Sequence, residues 1–506
     1  MRHISSLEYL SMSKPRRAWY KFYSFILGIP FAVGRFFRNI PRAIWKLLKR
    51  IGAWFSTLWD AFRYGNWKTR LSVLIWGFGC FAYRQIGHGI LYLGYEILFV
   101  LYMVFFGAGY LGKFGTLGTV VPERDEGGRI IVGDNSFEIL LYSMLTLVII
   151  LFTVVIMLKS VKEAYGNQLS YSVAQRMATA KDDVKQLLNH KFHLTILAFP
   201  SLTLVVFTIV PLLFMILVAF TNYNRNTLPP AHLFTWVGFD NFASVLTGQA
   251  LGGTAQDAGK WSYTFWHILG WTLEWAVIAT VSNLFLGMIL ALIINKKSIK
   301  LKKFWRTCLV TVIAVPQFIS LLLVSKMFRD EGIVNTLFRY VGLSPVKWLT
   351  STTQLAKIVI IVVNIWVGVP YTVLTCTGIL MNIPGDLYEA ARIDGANPVK
   401  MFSKITLPYM MFVLGPSLIT TFVGNINNFN IIFLLTGGQS GTMNSQLAMS
   451  AGDVDLLITW LYKLTVDSSQ YDMASVLGIL IFVVVAFFSL FVYSRIGSVK
   501  NEEDFQ

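Results

Sequence analysis

Residues 389–408 read EAARIDGANPVKMFSKITLP and separate two apolar stretches, at about 354–381 and 408–436, that are each long enough to cross a bilayer. About twenty apolar residues in a helix span the roughly 30 Å hydrocarbon core, so a segment between two such stretches lies in water. A loop that only reverses the chain needs few residues, whereas this one carries helix-forming, helix-ending and helix-starting signals in turn. The segment therefore predicts two short helices joined by a hinge, a shape suited to being held by a partner protein.

Signals within this loop set the predicted bounds of its two helices. Pro384 suits a first helical turn because it has no backbone N–H to lose, and Gly395 can adopt the left-handed conformation that ends a helix. Asn397 is placed to cap a second helix, which we expect to run toward Ile405 and to stop before Pro408.

The composition places the chain among integral membrane proteins. Of the 506 residues, 55% are hydrophobic and only 14% are charged, unlike the usage of soluble domains. The formal net charge of +17 would suit nucleic acid, but the Lys and Arg residues concentrate at the N-terminus and between apolar segments, which membrane topology explains better. The three cysteines, Cys80, Cys308 and Cys376, show no disulfide pattern or metal-ligand spacing. We therefore predict an all-α, polytopic membrane protein that binds neither nucleic acid nor metal.

Apolar stretches of spanning length occur eight times. They lie at about 86–110, 137–158, 193–220, 266–294, 307–328, 354–381, 408–436 and 472–494. The run from Leu71 to Tyr83 is too short to cross and stops at Arg84, so we predict an interfacial position for it. An even number of spans places both termini on the same side of the membrane.

Basic residues alternate between the linkers as the positive-inside rule requires. The linkers after the second, fourth and sixth spans are rich in Lys and Arg, whereas those at about 111–136, 221–265, 329–353 and 437–471 are poorer in them and contain Asp and Glu. We therefore expect the basic linkers and both termini to be cytoplasmic, and the four other linkers to lie outside.

The same pattern divides the chain into four regions. Residues 1–85 interleave basic and aromatic side chains at helix-like spacing, which is typical of segments that lie on an anionic membrane surface. Residues 86–192 contain the first two spans and a cytoplasmic linker. Residues 193–494 form a core of six spans that includes the loop at 382–408, and residues 495–506 form a cytoplasmic tail.

Fixed positions in the loop resemble the EAA motif of ABC importer permeases. Glu389-Ala390-Ala391 is followed after three residues by Gly395, after nine more by Ile405, and one residue later by Leu407-Pro408, which matches that motif at every fixed position. The resemblance implies the type I ABC importer permease fold, in which this loop forms a coupling helix seated in a cleft of the ATPase subunit. The coupling residues that it implies are Glu389, Ala390, Ala391, Asp394, Gly395, Ile405, Leu407 and Pro408.

Two segments in the sixth and seventh spans extend the resemblance, over roughly residues 190–506, to the maltose/maltodextrin (MalF-like) permease family. Residues 368–371, GVPY, resemble that family's Gly-x-Pro-Tyr segment, and residues 421–429, TFVGNINNF, resemble its Asn-rich stretch. The resemblance implies an oligosaccharide such as maltose or a maltodextrin as the substrate. The sugar contacts that it implies are Gly368, Tyr371, Thr421, Asn425 and Asn428.

Residue types at these positions agree with sugar binding. Thr421, Asn425 and Asn428 follow at i, i+4 and i+7, one face of a helix, and polar groups in a membrane usually face a wet cavity or a polar partner. Tyr371 offers a flat apolar surface for a pyranose ring and a hydroxyl for hydrogen bonding. The alternative is that the asparagines hydrogen-bond between helices, as polar residues in membrane bundles often do.

Two departures from the family bear on the substrate and the setting. Gly424 stands where the family pattern has an aromatic residue, which implies a roomier pocket with less stacking. The linker at about 221–265 is too short for the large folded insertion of the Gram-negative maltose permease, so a binding protein would contact short loops. The expected location is therefore the membrane of a Gram-positive cell with a tethered binding protein.

A stretch with the spacing of a phosphate-binding loop does not predict a nucleotide site. Residues 107–113 read GAGYLGK, but Phe114 replaces the Ser or Thr that would hold magnesium, and no predicted strand precedes the stretch. We therefore expect no cofactor in this chain, with ATP and magnesium bound by a partner ATPase.

Together these inferences predict a transport subunit rather than an enzyme. It would work by alternating access in a heterodimer with a second permease subunit, together with two ATPase subunits, an extracellular solute-binding protein and the surrounding membrane lipid. The alternative is an ion-coupled secondary sugar transporter without an ATPase, which would need ionisable residues near mid-membrane. The main ionisable residues within the predicted spans are Glu96, Glu274 and Lys326.

Overall fold

A computed structural model describes most of the chain. The described residues are 58–121, 123–124, 130–131, 133–174, 180–249, 258–296, 298–438, 444 and 446–493, with six isolated positions between residues 45 and 56. Much of the predicted basic N-terminal region and all of residues 495–506 lie outside the described residues. The regular secondary structure of the described part is helical apart from the two-residue strands β1 (Glu123–Arg124) and β2 (Ile130–Ile131), which pair antiparallel, so the predicted all-α class is confirmed.

The chain forms two compact units, of which the first comprises residues 1–217 and 227–236. Its short helices are α1 (Trp67–Leu71), α2 (Phe78–Ala82) and α6 (Ala180–Leu188). One long helix is built from α3 (Ile86–Tyr102), a π-helical turn (Met103–Gly107) and α4 (Ala108–Lys113). The others are α5 (Ser136–Ala174) and the helix made of α7 (Phe192–Leu204), a π turn (Val205–Ile209) and α8 (Val210–Val218). Residues 107–113 thus continue a helix rather than form a phosphate-binding loop.

Residues 71–83 form turns and the short helix α2, and polar contacts hold this region against the long helices of the first unit. The Gly77 N–H donates to Ser160 Oγ at 2.9 Å, and the Trp76 N–H donates to Glu96 Oε2 at 2.8 Å. Glu96 therefore accepts a structural hydrogen bond inside the unit, which is the kind of pairing that a lone acid in a membrane helix requires.

The second unit comprises residues 218–226 and 237–506. Its helices are α9 (Asp240–Thr247), α10 (Ala258–Asn295), α11 (Lys302–Ala314), α12 (Gln317–Met327), α13 (Ile333–Tyr340), α14 (Thr353–Met381), α15 (Gly385–Ile393), α16 (Pro398–Met401), a π turn (Phe402–Thr406), α17 (Leu407–Ile426), α18 (Phe429–Thr436), α19 (Leu457–Val466) and α20 (Tyr471–Tyr493). A 3-10 turn at Arg225–Thr227 lies where the two units meet in the sequence.

Helix α10 is the centre of the second unit and packs along both α14 and α17. Three clusters of buried apolar side chains lie along it. One cluster joins α10 to α19 and α20 through Trp261 and Trp460, and another joins it to α14 and α18 through Trp275 and Ile360. Because large buried side chains hold these helices together, the polar groups between them have defined positions.

Among the described residues, seven helices are long and apolar enough to cross a membrane, and an eighth span exists if the bent pair α11–α12 is counted as one. The predicted span at about 307–328 corresponds to two helices rather than one, because α11 and α12 meet at an angle of 88°. Pro316 explains the break: a proline disfavours helical geometry in the residue before it, and Val315 is extended with φ −80° and ψ 127°.

The second loop helix does not stop before Pro408, contrary to the prediction. Helical structure runs without a break from Pro398 through the π turn and α17 to Ile426. In the π turn the Leu407 N–H donates to the carbonyl five residues earlier, that of Phe402. A widened turn directly before a proline gives its ring room that an α turn lacks, so the helix continues.

Candidate functional site

A cavity of about 290 Å³ lies in the second unit between helices α10, α12, α14, α17 and α18. All five predicted sugar contacts line it: Gly368, Tyr371, Thr421, Asn425 and Asn428. The lining residues, all within the described part of the chain, include five amide side chains and no Asp, Glu, Lys, Arg or His. The cavity is therefore a neutral, hydrogen-bonding site in an apolar bundle.

Asn425 occupies the buried end of α17 and joins two helices as well as lining the cavity. Its Nδ2 donates to Thr280 Oγ1 at 2.9 Å, and its backbone carbonyl accepts a hydrogen bond from Trp275 Nε1 at 3.1 Å. Asn425 thus forms a hydrogen bond between helices, as the alternative interpretation of the asparagines predicts. The two interpretations do not exclude each other, because a side chain held in this way is also fixed in orientation.

Asn428 does not share a helical face with Thr421 and Asn425, which corrects the predicted i, i+4, i+7 arrangement. Helix α17 ends at Ile426, and Asn428 has φ −78° and ψ 84°. Its Oδ1 accepts a hydrogen bond from the Ile431 N–H at 3.3 Å, so it caps α18. The three residues still line one cavity, because the break between α17 and α18 lies at the cavity wall.

Gly368 lets α14 approach α10 closely. A Cβ atom at this position would lie 2.3 Å from Asn283 Nδ2 and 2.8 Å from Asn283 Cγ, far inside van der Waals contact. The absence of a side chain therefore has a packing cause that the sequence did not show. The Asn283 amide therefore lies directly against the backbone of α14 at the cavity.

Two cavity residues that sequence reasoning missed carry buried polar atoms without a partner. Asn283 Oδ1 and Asn364 Nδ2 have no hydrogen-bond partner among the described residues, and the two side chains are 7% and 3% exposed. Leaving such a group unsatisfied costs about 1–3 kcal/mol, so each amide is suited to a polar ligand or water in the cavity. Single asparagines within the apolar runs 266–294 and 354–381 were the signal that could have identified them.

Tyr371, which lines the cavity, and Gly424, which does not, both lie next to open space. Half of the Tyr371 surface is exposed, as a side chain that stacks against a ligand requires. A Cβ atom at Gly424 would meet nothing within 4 Å. Gly424 is not among the residues that line the cavity, so the roomier pocket expected from the missing aromatic residue stays a prediction.

The predicted coupling residues form a second group, away from the cavity. Glu389, Ala390 and Ala391 lie on α15, with Asp394 at its C-terminal cap. Ile405 lies in the π turn, and Leu407 and Pro408 open α17.

Two of the helix signals of the loop, the Gly395 turn and the Asn397 cap, are confirmed, whereas Pro384 is the N-cap of α15 rather than a residue of its first turn. Gly395 has φ +71°, and Asn397 Oδ1 accepts a hydrogen bond from the Lys400 N–H at 2.8 Å to cap the second helix. The Tyr388 hydroxyl bonds to Thr406 Oγ1 at 2.8 Å, which ties the loop to the π turn.

The two groups are connected through α14, after a short break, and through the unbroken helix that ends in α17. Helix α14 carries Gly368 and Tyr371 and ends four residues before α15 begins, while α17 starts at the π turn and carries Thr421 and Asn425. Both helices that carry predicted sugar contacts thus adjoin the loop in sequence.

Comparison with known proteins identifies the family. Residues 283–498 match the model of the binding-protein-dependent transport system inner membrane component family. The chain is similar to the galactooligosaccharides transport system permease protein GanP of Bacillus subtilis (strain 168), with 34% identity over 434 residues that cover 85% of this chain and 97% of that protein. The chain belongs to this family of permeases.

The permease is also similar to the maltodextrin transport system permease protein MdxF of Bacillus subtilis (strain 168), with 32% identity over 446 residues that cover 86% of this chain and 97% of that protein. A crystal structure of a bacterial alginate ABC transporter, in complex with an alginate pentasaccharide-bound periplasmic protein, shares the fold. Its TM-score is 0.50 at 21% identity, over 63% of this chain and 98% of that chain.

Family membership settles the class. The permease is a multi-pass membrane subunit of an ABC transport system and not an enzyme, and ATP hydrolysis belongs to a separate subunit. The resemblance found in the EAA loop is thereby confirmed. The ion-coupled secondary transporter has no support.

Proposed function

We propose that the permease carries a neutral oligosaccharide through the cavity between α10, α14 and α17 and delivers it to the cytoplasm by alternating access. One observation supports this most strongly: the five predicted contacts and the two unsatisfied amides, Asn283 and Asn364, line the same uncharged cavity. Amides both donate and accept hydrogen bonds, which matches the donor and acceptor character of sugar hydroxyls.

The neutral lining sets the substrate class. An acidic sugar would bring a carboxylate into an apolar bundle without a cation in the lining to pair with it, which is costly. The two relatives named for galactooligosaccharides and maltodextrin agree with an uncharged glycan. We propose glycans of these types, with Gly368, Tyr371, Thr421, Asn425 and Asn428 among the contacts.

Transport would be powered through the EAA loop. Glu389, Ala390 and Gly395 are exposed on the loop and are proposed to meet an ATPase subunit, which supplies ATP and magnesium. One loop would engage one ATPase protomer, and the ATPases of such transporters work as pairs, so a second permease subunit with its own loop is proposed. An extracellular binding protein would complete the assembly.

The proposed topology places the EAA loop and both termini in the cytoplasm, with residues 1–85 on the inner membrane surface and residues 193–494 as the permease core. Basic residues in alternate linkers support this orientation. A Gram-positive cell is the proposed setting, supported by the short linker at 221–265 and by the two relatives from Bacillus subtilis.

Uptake by proteoliposomes containing the permease and its co-purified partners would test this function. We expect ATP-dependent uptake of a labelled maltodextrin or galactooligosaccharide and none of a uronic-acid trisaccharide. Uptake that follows an ion gradient without ATP would overturn the mechanism. ATP-dependent uptake of only the acidic sugar would overturn the substrate class.

A further inference from the structure

A run of cations extends from the end of α10 into the first turns of α11. We call residues 296–306 the basic segment; its described cations are Lys296, Lys300, Lys302, Lys303 and Arg306, while Lys297 lies outside the described residues. The sequence contains no Asp or Glu from residue 275 to residue 329. Among the described residues, no carboxylate lies within salt-bridge distance of these five cations. The positive charge is therefore available to an external anion.

Hydrogen bonds through Asn295 fix the basic segment to the bundle. Arg306 Nη2 donates to Asn295 Oδ1 at 2.5 Å, and Lys302 Nζ donates to the Asn295 carbonyl at 3.2 Å. Asn295 Nδ2 in turn donates to Thr377 Oγ1 on α14 at 3.2 Å. Because Thr377 lies eight residues before Gly385, the cluster sits at the same end of α14 as the EAA loop.

Arg306 has an unused donor within this arrangement. Its Nε is buried and has no hydrogen-bond partner among the described residues, although Nη2 is held by Asn295. A guanidinium fixed in this way retains donors in the fork geometry that matches a phosphate group. Arg306 therefore favours a phosphate group over a neutral polar molecule as the ligand.

Apolar side chains beside the cations indicate where that phosphate comes from. Leu301, Phe304 and Trp305 are 74%, 55% and 51% exposed, and they alternate with Lys300, Lys302 and Lys303. A soluble anion would leave these side chains in water, whereas a lipid would cover them with acyl chains and place its headgroup at the cations.

We infer that the basic segment binds the headgroup of an anionic phospholipid, with Arg306 on the phosphate, Lys300 and Lys303 around it, and Phe304 and Trp305 against the acyl chains. We place this lipid in the cytoplasmic leaflet, which rests on the proposed orientation of the EAA loop. The lipid site itself does not depend on which sugar is transported.

Binding of a spin-labelled phosphatidylglycerol to the full-length permease in phosphatidylcholine vesicles tests this inference. In the variant Lys300→Gln/Lys303→Gln/Arg306→Gln, we expect the preference for phosphatidylglycerol over phosphatidylcholine to fall at least about threefold. The matched control, Lys159→Gln/Lys162→Gln/Lys185→Gln, removes three cations from the first unit and should keep the preference nearly unchanged. Arg306→Lys should give an intermediate value, because it keeps the charge and loses the fork.

Three outcomes would overturn the inference. Equal losses in the variant and the control would show a general attraction of basic residues, and no loss in the variant would show that the segment does not bind lipid. Displacement of the labelled lipid by inorganic phosphate at constant ionic strength would assign the site to a soluble anion. If the triple variant does not fold, the single variants Lys300→Gln and Lys303→Gln, both at exposed positions, give the same comparison. The measurement contains no sugar and no ATP, so it stands apart from the test of transport.

Discussion

Asn425 on α17 donates a 2.9 Å hydrogen bond to Thr280 on α10, across the wall of the cavity. Thr280 Oγ1 itself donates to the Ala276 carbonyl at 2.7 Å, so its lone pairs face Asn425. The contact joins the helix that starts at the EAA loop to the central helix of the unit. A cavity residue is thus also a link between two helices of the permease.

Replacing Asn425 with Leu should reduce sugar transport at least about tenfold. The change removes a cavity amide and leaves Thr280 without its donor, a loss of about 1–3 kcal/mol at a buried site. The measurement is uptake of labelled oligosaccharide, with co-purification of the ATPase as evidence that the loop still couples.

Asn427→Leu is the matched control for this change. Asn427 is exposed, donates to the Val423 carbonyl at 3.3 Å and does not line the cavity. Equal transport by the two variants would exclude Asn425 from the substrate path.

Gly368→Ala should impair both stability and transport. The new Cβ would lie 2.3 Å from Asn283 Nδ2, and overpacking of this kind costs about 1–3 kcal/mol. Thermal unfolding in detergent measures the loss. Combining Gly368→Ala with Asn283→Ala should recover most of the stability, because the shorter side chain makes room, while transport stays low.

Gly378→Ala controls for a methyl group added elsewhere on α14. A Cβ at Gly378 would meet nothing within 4 Å. If Gly378→Ala and Gly368→Ala lower the unfolding temperature equally, the packing explanation for Gly368 is wrong.

Gly395→Val should abolish transport while membrane insertion persists. Gly395 has φ +71°. Holding a non-glycine residue in this left-handed conformation costs about 1–2 kcal/mol of conformational free energy, and a β-branched residue costs more. Space is not the reason, because a Cβ at this position would meet nothing within 4 Å. The assay compares sugar-stimulated ATP hydrolysis with uptake.

Gly395→Asn tests whether the backbone conformation at this position, rather than the glycine itself, is what transport requires. Asparagine tolerates the left-handed region, so this variant should retain much of the transport that Gly395→Val loses. Full activity of Gly395→Val would remove the loop from the coupling pathway.

Tyr388→Phe should lower uptake about fivefold, the factor that corresponds to the roughly 1 kcal/mol of one hydrogen bond. The change removes the hydroxyl that bonds Thr406 at 2.8 Å and leaves the ring in place. Thr406→Val should have a similar effect, and the double variant should be no worse than either single one. Additive losses would show that the two residues act separately.

Cys80 should resist thiol reagents that react with Cys308. Burial raises the pKa of the Cys80 thiol from its usual value of 9.0 to about 12, and Glu163 contributes in the same direction. The folded thiol therefore stays protonated where an unfolded one ionises. The stability that this contributes is present below pH 9 and decreases as the pH rises toward 12.

Maleimide labelling of variants with one cysteine each measures this difference. At pH 8 in detergent, Cys80 should react at least about a hundredfold more slowly than the exposed Cys308, and equally fast after denaturation. Rapid labelling of Cys80 in the folded permease would contradict its placement in the first unit.

Most of the architecture could be predicted because its signals are local. The length of an apolar run is set by bilayer thickness, and the Gly395 turn and the Asn397 cap are decided by residues next to them in the chain. The bend at Pro316 and the continuation through Pro408 were harder to predict. A proline breaks the helix at Pro316, whereas the helix continues through Pro408 because a π turn precedes it.

By itself, the sequence determined that the chain is a helical membrane protein with an EAA loop, and through a family resemblance it predicted five residues that line the cavity. Only the tertiary structure decided that Asn283 and Asn364 join them with unsatisfied buried amides, that Gly368 is required by Asn283, and that Asn428 caps a new helix. Apolar length and turn chemistry depend on neighbours in the chain. Burial and unmet hydrogen bonds depend on which helices pack together, and that is set by residues far apart in sequence.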